Sequence, residues 1–300
     1  MQKKEFDILI LLSGEEKPTL QKIVKTAKLP LDAVNNIIHS FKEHEYYIDG
    51  EITSKGRQAL APYRVKRAIF LAAGMGSRLL PITKITPKPL VRVNGERMID
   101  SLLDAVIAAE IPEIAIVRGY LGEQFDQLKN KYPQIRFVEN PFFNESNNIS
   151  SAVCVRNLLQ NAYVLESDLI LKNLKLIRKY EYQSNFLGIP VKKTNDWCFY
   201  TDNNGIITSQ RIGGTNCYQM VGISYWSAED GVKLANDLNV VYTAPNGKEC
   251  LWEQTALLYK KENYSVMIRE CSFDDVIEID TYSELQEIDK FYALENIGQK

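Results

Sequence analysis

From Lys66 onward, short apolar runs alternate with amphipathic stretches, a spacing that implies a parallel sheet with crossover helices. "RAIFLAA", residues 67–73, is a short continuous apolar run, as expected of a strand buried on both faces. "MIDSLLDAVIAAEI" reads as an amphipathic helix, "IAIVRGY" as a second buried strand, and "GEQFDQLKNKY" as a helix. "IRFVEN" and "AYVLESD" read as further strands. Beyond about residue 185, strand-like runs separated by "NNG", "IGG" and "PNG" predict an antiparallel addition. The expected class is α/β, with a mixed, mostly parallel, Rossmann-like sheet over residues 65–300.

The first 64 residues follow a different rule. "TLQKIVKTAK" places Leu20, Ile23, Val24 and Ala27 on one helical face, with Thr19 as N-cap. "LDAVNNIIHSFKEHEYY" does the same with Leu31, Val34, Ile38 and Phe41. Asp49-Gly50 suits a two-residue type I′ hairpin turn, and "SKGRQALAPY" reads as a closing helix. Three helices, a short hairpin and a helix resemble a winged helix-turn-helix domain over residues 1–64, with the boundary near Pro62. Its recognition helix would present Asp32, Asn35, Asn36, His39 and Ser40, with only Lys42 to hold phosphate. This segment carries ten Lys/Arg against nine Asp/Glu. Phosphate neutralisation supplies much of DNA affinity, so a docking, dimerising or regulatory role suits this balance better than strong DNA binding.

Bulk properties narrow the class. A net charge of −2 disfavours indiscriminate nucleic-acid binding. The five cysteines (154, 198, 217, 250, 271) form no CxxC pair, and both histidines lie near the N-terminus. Inert thiols in a reducing, cytoplasmic setting are the expectation. No apolar run approaches a membrane span, and "MQKKEFDILILLSGEE" makes a poor signal peptide.

The strand "RAIFLAA" runs into "GMGSRLLPITKITPKPL". A Walker A loop is absent. The dinucleotide fingerprint begins at Gly74 and Gly76, but Leu79 stands where its third glycine belongs. Taken residue by residue, the stretch also reads as a tight turn flanked by two surface cations. The whole string resembles the signature of the sugar-nucleotide-type nucleotidyltransferases, L-x-x-G-x-G-[ST]-R-L followed by P-K-x-L. That resemblance implies a nucleotide held by Leu71, Ala72, Ala73, Gly74, Gly76 and Ser77. It implies Arg78 on the triphosphate and Lys88 near the reacting phosphates.

Strand-end acids are where Mg²⁺ would be held, since magnesium takes oxygen ligands from one or two carboxylates together with phosphates. "AYVLESD" supplies Glu166 and Asp168, and "DVIEIDT" supplies Glu278 and Asp280. An acid at a strand end is commonly a turn or cap residue, and Asp280 could cap the following helix. The resemblance implies instead that Asp168 and Asp280 hold the metal. Many relatives carry Asp at the position of Glu166, which leaves its direct part in the metal site open. The implied reaction is in-line attack of an acceptor phosphate oxygen on the α-phosphorus of a nucleotide, releasing pyrophosphate without a protein nucleophile.

Within this superfamily the chain resembles the bacterial CTP:phosphocholine cytidylyltransferases over roughly residues 66–292. The shorter motifs "VRGYLGEQFDQL", "NNISSA", "YVLESD", "TNDW", "GISYW", "LWEQ" and "IEIDT" carry this choice. Their match implies CTP and a small phosphorylated amino alcohol as substrates, with Asn148 and Ser151 along the cleft. A quaternary ammonium is held by aromatic faces and nearby carboxylates, so Trp197 with Asp196, Trp252 with Glu253 and Glu249, and Tyr225 are the expected acceptor site. Trp226, after "VGISY", reads equally as core. The nearest competing acceptor is 2-aminoethylphosphonate, whose primary ammonium prefers carboxylates, with a sugar 1-phosphate a more distant third. A different class is a regulator that binds DNA through the winged helix and senses CTP with the transferase domain.

Overall fold

Threonine side chains cap two of the helices in the N-terminal region. The computed structural model describes residues 1–14 and 17–293. Two compact units divide the chain, residues 1–64 with 180–182 forming the first and the remainder the second. In the first, α1 (Lys3–Leu12) is followed by α2 (Leu20–Ala27), where the Thr19 hydroxyl accepts the Lys22 amide. Then come α3 (Leu31–Glu43), the hairpin β1 (Tyr47–Ile48) and β2 (Glu51–Ile52), and α4 (Ser54–Leu60), capped by Thr53. Asp49 and Gly50 have φ of 50° and 80°, the two positive angles that a type I′ turn requires. Phe6, Leu9, Ile23, Val34, Phe41 and Leu60 pack as one core, while Leu20 and Leu31, each at the first turn of its helix, stay exposed. The outer face of α3 shows Asp32, Asn35, Asn36 and His39 to solvent.

The second unit is built on β3 (Arg67–Ala72), the small hairpin β4 (Arg92–Val93) and β5 (Glu96–Arg97), α5 (Met98–Ala108), β6 (Glu113–Arg118) and β7 (Ile135–Glu139). It continues through α6 (Ile149–Cys154), β8 (Ala162–Glu166), β9 (Leu169–Leu171), β10 (Asn185–Thr201) and β11 (Ile207–Trp226). It closes with α7 (Ala228–Thr243), β12 (Met267–Glu270), β13 (Val276–Glu278), α8 (Tyr282–Ile288) and the short α9 (Lys290–Ala293). A seven-stranded sheet has the order β12-β10-β11-β8-β3-β6-β7. All its strands run parallel except β11, which is antiparallel to both β8 and β10. The expected mostly parallel α/β sheet with an antiparallel addition is what forms.

Past Arg67, β3 is apolar because both of its faces are covered. Ala68, Phe70 and Ala72 join the core under α5, and Ile69 joins the opposite core under α6 and α7. The expected helix at "GEQFDQLKNKY" is instead a 3-10 stretch, Gly122–Asn130. Chain order also fixes where a ligand can sit. From β3 the sheet grows outward through β6 and β7, then resumes on the other flank of β3 with β8. Strand order therefore reverses between β3 and β8, and the crevice at their carboxyl ends is the usual binding place in such sheets. Among the described residues, no helix is long and apolar enough to cross a membrane.

Candidate active site

A cleft of about 450 Å³ opens at the carboxyl ends of β3 and β8. Its floor at β3 is Leu71 and Ala72, followed by the glycine turn. Gly76 has φ +61°, and a Cβ there would lie 2.8 Å from Lys88 Cβ, so only glycine fits both the angle and the packing. Gly74 has open space where a Cβ would be. The Thr83 hydroxyl donates to the Gly76 carbonyl at 2.9 Å, closing the loop on itself.

This folded loop delivers both cations. Lys88, nine-tenths buried, places Nζ 2.7 Å from Asp168 Oδ2 and 3.0 Å from Asp280 Oδ1. Burial opposes its charge, but the two carboxylates outweigh it and hold its pKa above the ordinary value. Arg78 forks onto Asp280, NH1 to Oδ2 at 2.9 Å and NH2 to Oδ1 at 2.8 Å, while its side chain stays largely exposed. Asp280 is not the cap of α8. Thr281 is, in a capping box with Glu284, which frees the Asp280 carboxylate for the cleft.

The acid group is larger than the two expected members. β9 pairs antiparallel with β13, Leu169 facing Glu278, and this ladder brings Glu278 beside Asp168. Glu166, Asp168 and Glu278 each offer an oxygen within 4.8 Å of the others. Glu166 lies across Gly222 of β11, where an added Cβ would meet its Oε2 at 2.6 Å. Burial first, then the neighbouring Asp168, Glu253 and Glu278, push the Glu166 pKa well above the carboxylate range. Burial, with Asp168, Asp280 and Asp196, pushes Glu278 up to about 8. Asp168 Oδ1 is buried and lacks a hydrogen-bond partner among the described residues. An orphaned carboxylate oxygen among three converging acids fits a hard divalent cation such as Mg²⁺, which would neutralise phosphate charge. Both Asp280 oxygens are engaged by Arg78 and Lys88, while Glu166 and Glu278 offer oxygens beside Asp168.

The remaining wall comes from β10, β11 and the segment after α7. Trp197 lines the cleft half-buried, beside Asp196, whose Oδ1 accepts the Trp197 amide at 2.7 Å. Met220, Gly222, Leu251, Asn147 and Asn148 line it too. Asn148 Oδ1 accepts the Trp252 amide at 2.9 Å, tying the α6 start to the 251–253 segment. Glu253 is 1% exposed; its Oε1 accepts Gln210 Nε2 at 3.2 Å, and its Oε2 is buried without a partner. Burial raises its pKa to about 7.

Five expected residues stand off the cleft wall. Trp252 is 2% exposed, stacked on Phe186 at 6.0 Å and edge-on to Trp226 at 5.9 Å. Tyr225 is buried with its hydroxyl 3.1 Å from Asn161 Oδ1. Glu249 is exposed in the turn Gly247–Glu249, and Ser151 is buried in α6 as an acceptor for Asn140 Nδ2 at 3.0 Å. Ala73, between the lining residues Ala72 and Gly74, is buried. The indoles and the phenol are large apolar groups; the core under α7 claims the indoles, and the opposite core, beside Tyr163, claims the phenol. Trp226, at 0% exposure, is core as well. Leu71, Ala72, Gly74, Gly76, Ser77, Arg78, Lys88, Asn148, Asp168, Asp196, Trp197, Glu253 and Asp280 do meet at the cleft. Sequence reading gave no role to Asn147, Met220, Gly222, Leu251 or Gln210; Gly222 and Leu251 open the quoted strings "GISYW" and "LWEQ", while Met220 and Gln210 carry no local signal.

Comparison with known proteins matches this architecture. The model of the family "Nucleotidyl transferase" matches residues 67–192. The 2-aminoethylphosphonate cytidylyltransferase of Lancefieldella rimae is 34% identical over 75% of this chain and 93% of its own. The choline-phosphate cytidylyltransferase of Streptococcus pneumoniae is 31% identical over 77% of this chain and 100% of its own. A solved structure of CTP:phosphocholine cytidylyltransferase from Streptococcus pneumoniae superposes with a TM-score of 0.70 at 29% identity, covering 76% of this chain and 99% of that one. The glycine turn at the β3–β8 switch point, its two cations and the facing acids thus sit in a chain that belongs to the nucleotidyl transferase family.

Proposed function

We propose that the chain transfers CMP from CTP to a phosphate or phosphonate oxygen of a small amine-bearing acceptor, releasing pyrophosphate. The acceptor oxygen attacks the α-phosphorus in line, and the bond to the bridging oxygen of pyrophosphate breaks. The carrying observation is the charge layout of one cleft. Arg78 and Lys88 stand at the glycine turn, and Glu166, Asp168, Glu278 and Asp280 face them. The turn from Leu71 to Ser77 cradles the nucleotide through backbone amides, and Asn148 lines the same cleft. Arg78 and Lys88 offset charge on the leaving phosphates. Asp168, with Glu166 and Glu278 and with Asp280 at hand, would hold Mg²⁺, which supplies charge neutralisation at the phosphates. An acceptor whose oxygen is already ionised needs no general base. CTP as the nucleotide is supported by the cytidylyltransferase relatives.

For the acceptor, the cleft favours a primary ammonium, and 2-aminoethylphosphonate is the reading we adopt. With Trp252 and Tyr225 in the core, Trp197 is the aromatic that remains of the expected cage, beside Asp196 and Glu253. One ring with carboxylates suits N–H donors better than methyl groups, because a quaternary ammonium gives no hydrogen bond to a carboxylate oxygen lacking one. Phosphocholine is the second reading, carried by the Trp197 face.

An acceptor panel tests both levels. With CTP and Mg²⁺, pyrophosphate release from 2-aminoethylphosphonate should exceed that from phosphocholine by at least about tenfold in kcat/KM. The reverse order overturns the acceptor assignment alone. Release with none of 2-aminoethylphosphonate, phosphoethanolamine, phosphocholine or a sugar 1-phosphate overturns the reaction.

A further inference from the structure

Glu253 is a buried carboxylate with no ion-pair partner among the described residues. Lys88 and Arg78, the cations on the cleft wall, are spent on Asp168 and Asp280. Its one side-chain donor is Gln210 Nε2, at 3.2 Å from Oε1, and Oε2 has no partner among the described residues. A carboxylate enclosed in this way either takes up a proton or is completed by a cation, and an ammonium in the cleft would be such a cation.

Gln210 reaches Glu253 through an irregularity of the sheet. β10 pairs with β11 twice over, Phe199 facing both Gln210 and Tyr218. β11 therefore wraps around β10, and positions ten apart along it come together at one place. Gln210 Nε2 lies 3.6 Å from Met220 Sδ as well as near Glu253, and Met220 is on the cleft wall. The Gln210 Oε1 is buried and unpaired, so the amide is held by these contacts on its nitrogen side. Gln210 is itself absent from the cleft wall.

From this geometry we infer that Gln210 is a positioning residue: it pins Glu253 Oε1 so that Oε2 is left to receive the ammonium of the acceptor. The inference rests on the amine-bearing acceptor proposed above. Gln210 adds no charge, so it leaves the ammonium as the group that completes the carboxylate. It sets affinity for the charged end of the acceptor; its amide nitrogen contacts Glu253 and Met220, neither of which is assigned to CTP.

The test uses the full chain, CTP, Mg²⁺ and the best acceptor of the panel. Gln210→Met keeps the side-chain length and removes the donor. It should raise the acceptor KM about tenfold, with the KM for CTP and kcat within about twofold. Glu253→Gln should also raise the acceptor KM, and adding Gln210→Met to it should change the KM by less than about twofold, because the hydrogen bond then has no ion to position. Should Gln210→Met fail to fold, Gln210→Glu keeps the shape, replaces the donor with a like charge, and should raise the acceptor KM further. An unchanged acceptor KM, a parallel rise for CTP, or full additivity with Glu253→Gln overturns the inference alone. An unsubstituted chain that turns over no amine-bearing acceptor overturns it together with the function on which it rests.

Discussion

The two ends of the cleft are built on opposite electrostatic plans. At the glycine turn, Lys88 and Arg78 meet Asp168 and Asp280 at 2.7–3.0 Å, so charge is compensated inside the protein. Glu166 and Glu278, each offering an oxygen within 4.8 Å of Asp168, and Glu253 lack such partners among the described residues, and all three are pushed toward protonation, chiefly by burial. One end is preset to accept an anion by trading its internal partners for phosphates. The other is short of positive charge, which a cation and an ammonium would supply. The difference separates what binds at each end without any ligand being present.

The sharpest way to break this contrast is at the acid that touches both plans. Asp168 accepts Lys88 Nζ at Oδ2, has Oδ1 buried without a partner among the described residues, and offers an oxygen within 4.8 Å of Glu166 and Glu278. Asp168→Asn should lower kcat by at least about a thousandfold while the circular dichroism spectrum stays native, since catalysis here is positioning and charge stabilisation. Turnover within tenfold of the parent would remove Asp168 from the catalytic centre.

The two ends also differ in how far a sequence reveals them. The glycine turn is local: the angle at Gly76, the loop back to Thr83 and the placing of Lys88 all lie within thirteen residues, so a short motif carries them. Asp280 is legible as a strand-end acid. Glu278 joins Asp168 only through the β9–β13 ladder, and Glu166 finds its room only because Gly222 lies across from it. Pairings between distant segments leave no mark in either segment alone. The aromatic–acid reading of "LWEQ" fails for a related reason: adjacent residues leave the backbone in different directions. Trp252 enters the core and Glu253 the cleft. The same pattern in "TNDW" puts Asp196 and Trp197 on one wall, and the two strings do not differ in any way that foretells this.

That distinction has a measurable consequence. Trp252→Ala should destabilise the protein by about 3–5 kcal/mol, as loss of a buried indole does, and lower the melting temperature sharply. Trp197→Ala should leave the melting temperature nearly unchanged and raise the acceptor KM several-fold, with the KM for CTP unmoved. A Trp252 variant that melts like the parent but binds acceptor poorly would return Trp252 to the acceptor site and sharpen the case for a quaternary ammonium.

The smallest effect is the one most specific to the uncompensated end. Glu253 has an ordinary pKa of 4.5 and is raised to about 7 in the folded chain, mainly by burial. Between those values the folded state holds a proton that the unfolded state has lost. Stability therefore falls as pH rises from about 4.5 to about 7, and the deficit persists above. Glu253→Gln removes that proton from the balance. With no CTP, metal or acceptor present, the variant should gain a few degrees of melting temperature over the parent at pH 8, and less at pH 5. Lys88, the buried cation of the other end, is raised above 10.5 by Asp168 and Asp280 against its burial. Its contribution is present below that pH and is lost only as pH rises through the higher value, so it is silent in this window. A variant-minus-parent difference that does not change between pH 5 and 8 would mean that Glu253 is already compensated in the free protein, and the two ends would then follow one plan.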